Sequence, residues 1–293
     1  AGNGIPELTA STAMTCAQAL QAAATLGLDR LDAQLLLLHL LGRPDTDRAW
    51  LLAHDDDALG ETVSQAFHQF CQRRAAGEPL AYLVGYKEFF GLQLKVDARV
   101  LVPRPDTETL VQWALDLAPQ WALTQTIRAL DLGTGSGAIA LALARTWKQE
   151  GRPVEMSAID ASADALAVAR KNAAQLALPV QFSESAWLDK VSGHFHLILS
   201  NPPYIADADD HLAALKHEPL QALTAGTDGL DDIRQIVGQA SGHLLAGGWL
   251  LLEHGYDQSG RVCELLAEQG FIQVQSRQDI AGINRCSGGQ WPR

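Results

Sequence analysis

Apolar positions in the first quarter of the chain recur at the three- and four-residue spacing of helices. From Thr15 to about Ala76, Leu31, Leu35, Leu38 and their neighbouring leucines follow that spacing, and Gly42 then Pro44 close the segment. A second amphipathic stretch runs from about Glu61 to Arg74, with Val63, Phe67, Phe70 and Cys71 on one face. The pattern predicts a small all-helical domain over residues 13–85, preceded by an extension, 1–12.

The texture changes at Tyr86. Residues Glu88 to Val96 read as a hairpin: Phe89 and Phe90 lie on one arm, Gly91 is near the turn, and Leu92, Leu94 and Val96 alternate on the other arm. Pro103 and Pro105 then stiffen a connector, so residues 86–106 form a hairpin linker. Beyond it, strands and helices alternate, which predicts an α/β domain over 107–293 with a mainly parallel sheet and helices on both faces. Expected strands are Ile127 to Leu132, Glu155 to Ile159, Val180 to Glu184, Phe195 to Ser200 and Trp249 to Glu253. Helices are expected at Ala138 to Thr146, Ala163 to Leu176, Asp231 to Leu245 and Gln258 to Gln269.

Composition narrows the class. The 293 residues are 47% hydrophobic and 19% charged, ordinary for a globular protein of one large or two unequal domains. The run Leu35 to Leu41, broken by His39, is far shorter than the roughly 20 apolar residues that span a bilayer, so no membrane segment is expected. Nor do the first ten residues carry the basic and apolar regions of a signal peptide. Four scattered cysteines without a Cys-x-x-Cys pair point to a reducing, cytoplasmic setting. The nine histidines show no metal-ligand spacing, so no metal is expected. A formal charge of −12 disfavours direct binding of nucleic acid.

Two motifs carry chemistry. The run Asp131, Leu132, Gly133, Thr134, Gly135, Ser136, Gly137 sits where a buried strand turns into a helix, and its glycines let backbone approach a ligand closely. No Lys-Ser or Lys-Thr follows, so it is not a phosphate-gripping loop, and its alternate glycines differ from Gly-x-Gly-x-x-Gly. Asp160 ends the next strand, where a carboxylate can accept both ribose hydroxyls. The pair points to an adenosine-containing ligand.

Asn201, Pro202, Pro203 and Tyr204 follow the apolar strand Phe195 to Ser200, in a loop expected beside the glycine-rich turn. Adjacent prolines stiffen it. A planar NH2 group is a weak nucleophile because its lone pair is delocalised, so a catalyst gains by orienting both N–H bonds. The Asn201 side-chain oxygen can accept one, the Pro202 carbonyl the other, and Tyr204 can wall the planar group. The nitrogen is then aimed at a methyl sulfonium carbon, and the product can lose its proton after attack.

These residues resemble the protein-glutamine N5-methyltransferases that modify class I release factors, the HemK or PrmC family. The resemblance spans Glu88 to Phe90, Leu101 to Glu108, Asp131 to Gly137, Ser200 to Ile205, Glu218 to Leu220 and Leu251 to Gly255. Pro103-Arg104-Pro105-Asp106-Thr107-Glu108 separates this family from other Asn-Pro-Pro-Tyr enzymes. It implies a Rossmann-like, S-adenosylmethionine-dependent domain behind a helical domain that helps hold the release factor, and the glutamine of a Gly-Gly-Gln motif as substrate. A monomer is expected. Gly133, Thr134, Gly135, Ser136, Gly137, Asp160, Trp187 and Asn201 are the implied cofactor contacts, and Asn201, Pro202, Pro203 and Tyr204 the implied amide site.

Two departures accompany the resemblance. Ala186 stands where the family usually places Asp before the tryptophan, so either a hydrogen bond to the adenine amino group is missing or Glu184 substitutes for it. The tail Ile283 to Cys286 is less regular than a closing strand, which puts its register in doubt. The chain also carries its own Gly288-Gly289-Gln290, a self-methylation or autoinhibitory candidate if exposed and structural if it is a strand. The alternative functions are an adenine-N6 type nucleic-acid methyltransferase, which requires a basic surface and a flipped base, and a non-catalytic cofactor-binding partner of release factors.

Overall fold

The computed structural model describes residues 13–292, so the expected extension, 1–12, lies outside the described residues. The chain divides between Val84 and Gly85 into two compact units. The first contains α1 (Cys16–Thr25), α2 (Arg30–Leu40), α3 (Arg48–Ala53), α4 (Glu61–Ala75) and α5 (Leu80–Val84). Thr15 starts α1 with a reciprocal cap: its hydroxyl accepts from the Gln18 N–H, and the Gln18 side chain accepts from the Thr15 N–H. Asp29 caps α2 by accepting from the Leu31 N–H at 2.8 Å. Ala19, Leu36, Leu37, Leu38, Leu51, Phe67 and Cys71 form this unit's core. Leu31 is exposed, in contrast to its place in the helical pattern. The run Leu35 to Leu38 is so uniformly apolar that spacing alone leaves the buried face of α2 ambiguous.

The second unit opens with the antiparallel hairpin β1 (Tyr86–Phe89) and β2 (Leu92–Lys95). Phe90 and Gly91 both take positive φ, the twist a two-residue hairpin turn requires. There follow α6 (Glu108–Leu117), β3 (Ile127–Leu132), α7 (Ala138–Gln149), β4 (Val154–Asp160), α8 (Ala163–Leu176), β5 (Gln181–Glu184), β6 (Phe195–Ser200), α9 (Asp231–Ala240), β7 (Leu244–Glu253), α10 (Ser259–Gln269), β8 (Ile272–Gln278) and β9 (Asn284–Gln290). Seven strands make one sheet in the order β5-β4-β3-β6-β7-β9-β8, parallel from β5 through β7 and antiparallel at β9 and β8.

Both sheet faces are buried, as a sheet built on parallel crossovers requires. Leu197, Leu199 and Leu251 pack with Leu110, Trp113, Leu141 and Trp147 of α6 and α7. Their neighbours Ile198, Leu250 and Leu252 pack with Ile233, Ile236, Val262 and Leu266 of α9 and α10. This α/β sheet with helices on both faces is the Rossmann-like architecture.

Three elements differ from the sequence pattern. Helix α9 ends at Ala240 rather than Leu245; a 3-10 turn at Ser241–His243 intervenes, and Leu244 starts β7. Strand β8 was not expected, because its sequence Ile-Gln-Val-Gln-Ser-Arg-Gln lacks a strong apolar alternation, a feature of sheet edges. The tail is regular: β9 pairs with both β7 and β8, with Cys286 opposite Glu253 and Gln290 opposite Trp249.

Candidate active site at the carboxyl edge of the sheet

The carboxyl ends of β3, β4, β6 and β7 share one edge, because these strands run parallel. The chain order reverses between β3 and β6, where such sheets open a ligand crevice. Ser200 ties the two ends together by donating its hydroxyl to the Leu132 carbonyl at 2.7 Å. A cavity of about 470 Å³ opens there, in the size range of small-molecule sites.

Gly133, Thr134, Gly135 and Ser136 line the cavity. Gly133, Gly135 and Gly137 all take positive φ, a conformation that disfavours any other residue. A Cβ on Gly133 would lie 3.2 Å from the Trp187 ring, so the turn and the tryptophan are in close contact. Gly137 is not among the lining residues; it caps α7 and packs against Leu141 and Ala169. Behind the turn, buried Asp131 accepts from the Thr134 hydroxyl at 2.7 Å. Loss of water pushes its carboxyl up to about 7.

Asp160 lines the cavity at the end of β4 and accepts from the Gly135 and Ser162 N–H groups at 2.9 Å each. Burial raises its pKa while these N–H donors oppose the shift. Each oxygen keeps lone pairs for a further donor. Trp187 holds φ 47, an uncommon conformation outside glycine that concentrates at functional sites. The Ser185 hydroxyl donates to its carbonyl at 2.8 Å, and its indole N–H donates to Asp232 at 2.9 Å. Ala186 and Asp232 line the cavity, whereas Glu184 is exposed and absent from the lining. The carboxylate beside the tryptophan therefore comes from α9, a position that motif spacing did not reveal.

Asn201 and Pro203 line the same cavity, while Pro202 and Tyr204 do not. Asn201 Nδ2 donates to the Thr107 hydroxyl at 3.4 Å. Tyr204 donates its hydroxyl to Glu253 at 3.3 Å, and its carbonyl accepts from Gln258 at 3.0 Å. Gly229 holds this loop close: a Cβ there would lie 2.2 Å from the Tyr204 carbonyl oxygen. The Pro103 to Thr107 connector forms another wall, with Pro103 and Thr107 lining. Arg104 is ion-paired with buried Glu218, whose other oxygen accepts from the Val102 N–H at 3.0 Å. Leu101 and Pro219, from two stretches that carry the family resemblance, also line the cavity, as do Arg99, Val100 and Gln221, which carried no signal of their own in the sequence.

Gly288-Gly289-Gln290 is not at the site. It lies inside β9, paired along β7 with Gly288 opposite Leu251 and Gln290 opposite Trp249, and Gln290 is 6% exposed with its amide bonded to Gly247 O and Gln273 Nε2. A Cβ on Gly288 would lie 2.6 Å from the Leu250 carbonyl. A Cβ on Gly289 would likewise lie 2.9 Å from Phe271, so neighbouring strand and loop leave no room for a side chain at either glycine.

The fold and this cavity define a Rossmann-like methyltransferase, and the comparisons agree. Residues 13–85 match the model described as PrmC N-terminal domain, and residues 115–230 match the methyltransferase small domain. The Pyrococcus furiosus methyltransferase structure aligns with TM-score 0.52 at 18% identity, over 77% of this chain and 99% of that one. A T. thermophilus 16S rRNA N2 G1207 methyltransferase, solved with AdoMet and guanosine, aligns with TM-score 0.51 at 19% identity, over 71% and 50%. The release factor glutamine methyltransferase of Bordetella pertussis is 47% identical over 268 residues, 90% of this chain and 95% of that protein. Its Coxiella burnetii counterpart is 43% identical, over 87% and 90%. The chain belongs to the release factor glutamine methyltransferase family.

Proposed function

We propose that this chain transfers the methyl group of S-adenosylmethionine to the side-chain N5 amide of the glutamine in the Gly-Gly-Gln motif of class I peptide-chain release factors. The observation that carries the reading is one cavity: the Asn-Pro-Pro-Tyr loop leaves β6 into the space lined by the glycine-rich turn, Asp160 and Trp187.

The residues fit the cofactor. The turn Gly133 to Ser136 would face it with backbone, Asp160 would accept from the ribose hydroxyls, and Trp187 would cover the adenine. Bound there, the cofactor supplies an electrophilic methyl on a cationic sulfur. Asp160 and Asp232 give the cavity wall a negative character suited to a cation. Asn201 Oδ1 and the Pro202 carbonyl accept the two N–H bonds of the glutamine amide, Pro203 closes the wall, and the Tyr204 ring flanks the amide plane. The by-product would be S-adenosylhomocysteine, and the methylated amide would shed one proton. No metal enters this scheme. The helical unit, residues 13–85, grips the release factor; the enzyme acts as a cytoplasmic monomer with no direct contact to nucleic acid or membrane.

Asn201→Ala tests this reading. Methyl transfer to a release factor is expected to fall at least about a hundredfold while cofactor affinity changes less than about tenfold. Transfer retained within about twofold contradicts it.

A further inference from the structure

Main-chain groups from three separate loops converge on one side-chain amide that the scheme above does not use, that of Gln258 at the start of α10. Its Oε1 accepts from the Gly255 N–H at 2.7 Å. Its Nε2 donates to the Tyr204 carbonyl at 3.0 Å and to the Asp228 carbonyl at 3.4 Å. Gly255 follows β7, Tyr204 ends the Asn-Pro-Pro-Tyr loop after β6, and Asp228 lies in the loop that leads into α9. These partners fix which way the amide faces, because an N–H must meet its oxygen and two carbonyls must meet its NH2.

The Tyr204 carbonyl depends on this contact, since no other donor reaches it among the described residues. The loop has few alternatives: Pro202 and Pro203 carry no N–H, and main-chain bonding resumes at Ile205, whose N–H donates to the Leu223 carbonyl at 2.9 Å. Gly229 makes room for the junction, because a Cβ there would lie 2.2 Å from the Tyr204 carbonyl oxygen and 3.0 Å from Gln258 Nε2. Just beyond Gly229, Asp232 accepts from the Trp187 indole N–H at 2.9 Å and lines the cavity. One amide thus joins the loop that offers acceptors to the glutamine with the segment that carries part of the cofactor wall.

We propose that Gln258 is a positioning residue for methyl transfer: by donating to the Tyr204 and Asp228 carbonyls together, it holds the Asn201 and Pro202 acceptors at a fixed distance from the cofactor wall. It rests on the amide-binding role given to Asn201 and Pro202 above. Transfer is sensitive to that distance, because reacting atoms must approach to about 3–3.5 Å with their orbitals aligned.

Two substitutions separate hydrogen-bond donation from bulk. Gln258→Glu keeps the size of the side chain and an acceptor for Gly255, but turns an oxygen instead of an NH2 toward two carbonyls. Gln258→Met keeps an apolar side chain of similar length and makes none of the three bonds.

The test uses the full chain with a purified release factor. Gln258→Glu is expected to lower kcat at least about thirtyfold and Gln258→Met about tenfold, with cofactor affinity and KM changed less than about threefold. A side chain that merely fills space gives the reverse order, with Gln258→Glu within about twofold of the wild type. Amide hydrogen exchange, recorded without release factor, is expected to quicken at least about tenfold at Ile205 and Asp207 in both variants. An unchanged rate in β3 shows that each variant is folded, and Gln258→Met alone reads the loop should Gln258→Glu not fold. Transfer by Gln258→Glu as fast as by Gln258→Met, or exchange at Ile205 and Asp207 that keeps the wild-type rate, overturns the proposal. Exchange reports on the loop independently of substrate, so absence of transfer to release factors by the wild-type chain would sink the functional reading while leaving this one to be judged on exchange.

Discussion

At the scale of single residues, the site depends on backbone that tolerates almost no substitution. Gly229 has φ 74 and sits against the Tyr204 carbonyl, so an added Cβ meets both strain and a main-chain clash. Gly229→Ala is expected to destabilise by about 1–3 kcal/mol, lowering the melting temperature by about 2–4 °C per kcal/mol. It should also reduce methyl transfer more than cofactor binding, because the loop rather than the glycine-rich turn is displaced. Calorimetry of the variant with cofactor, alongside its transfer rate, checks this; a larger loss of binding than of transfer contradicts it. Gly229, Asp232 and Glu253 were not legible as a group in the sequence. They come from a loop, α9 and β7, and tertiary proximity alone gives them a shared role. By contrast, strand-end position and residue type singled out Gly133 to Ser136, Asp160, Asn201 and Pro203, which the fold brings to one cavity, whereas Gly137, Pro202 and Tyr204 do not line it.

At the scale of elements, the strongly apolar pieces were readable and the polar ones were not. Strands β3 and β6 have the bounds the pattern predicts, since burial on both faces leaves them no alternative, and amphipathic α8 has them because the Ser162 cap and a left-handed Ala177 delimit it. Edge strand β8 pairs on one side only and so retains a polar sequence that reads as loop. Strand β9 answers the Gly-Gly-Gln question through its pairing and burial: Gln290 lies opposite Trp249 within the sheet and is buried. Incubated alone with labelled S-adenosylmethionine, the folded chain should not label Gln290, as mass spectrometry of its peptides would read. Stoichiometric methylation of Gln290 would show that β9 leaves the sheet.

At the scale of the whole molecule, two units with separate cores match two separate family models in their own regions. No helix among the described residues is long and apolar enough to cross a membrane. The net charge of −12 favours a protein guest over a polyanion, and relatives spanning nearly the full chain are release factor glutamine methyltransferases. The most direct measurement supplies labelled S-adenosylmethionine to the full chain with a purified class I release factor, and in parallel with the same factor carrying a replaced motif glutamine. The predicted result is label on the first and none on the second; equal label on both, or transfer to DNA instead, would contradict the assignment.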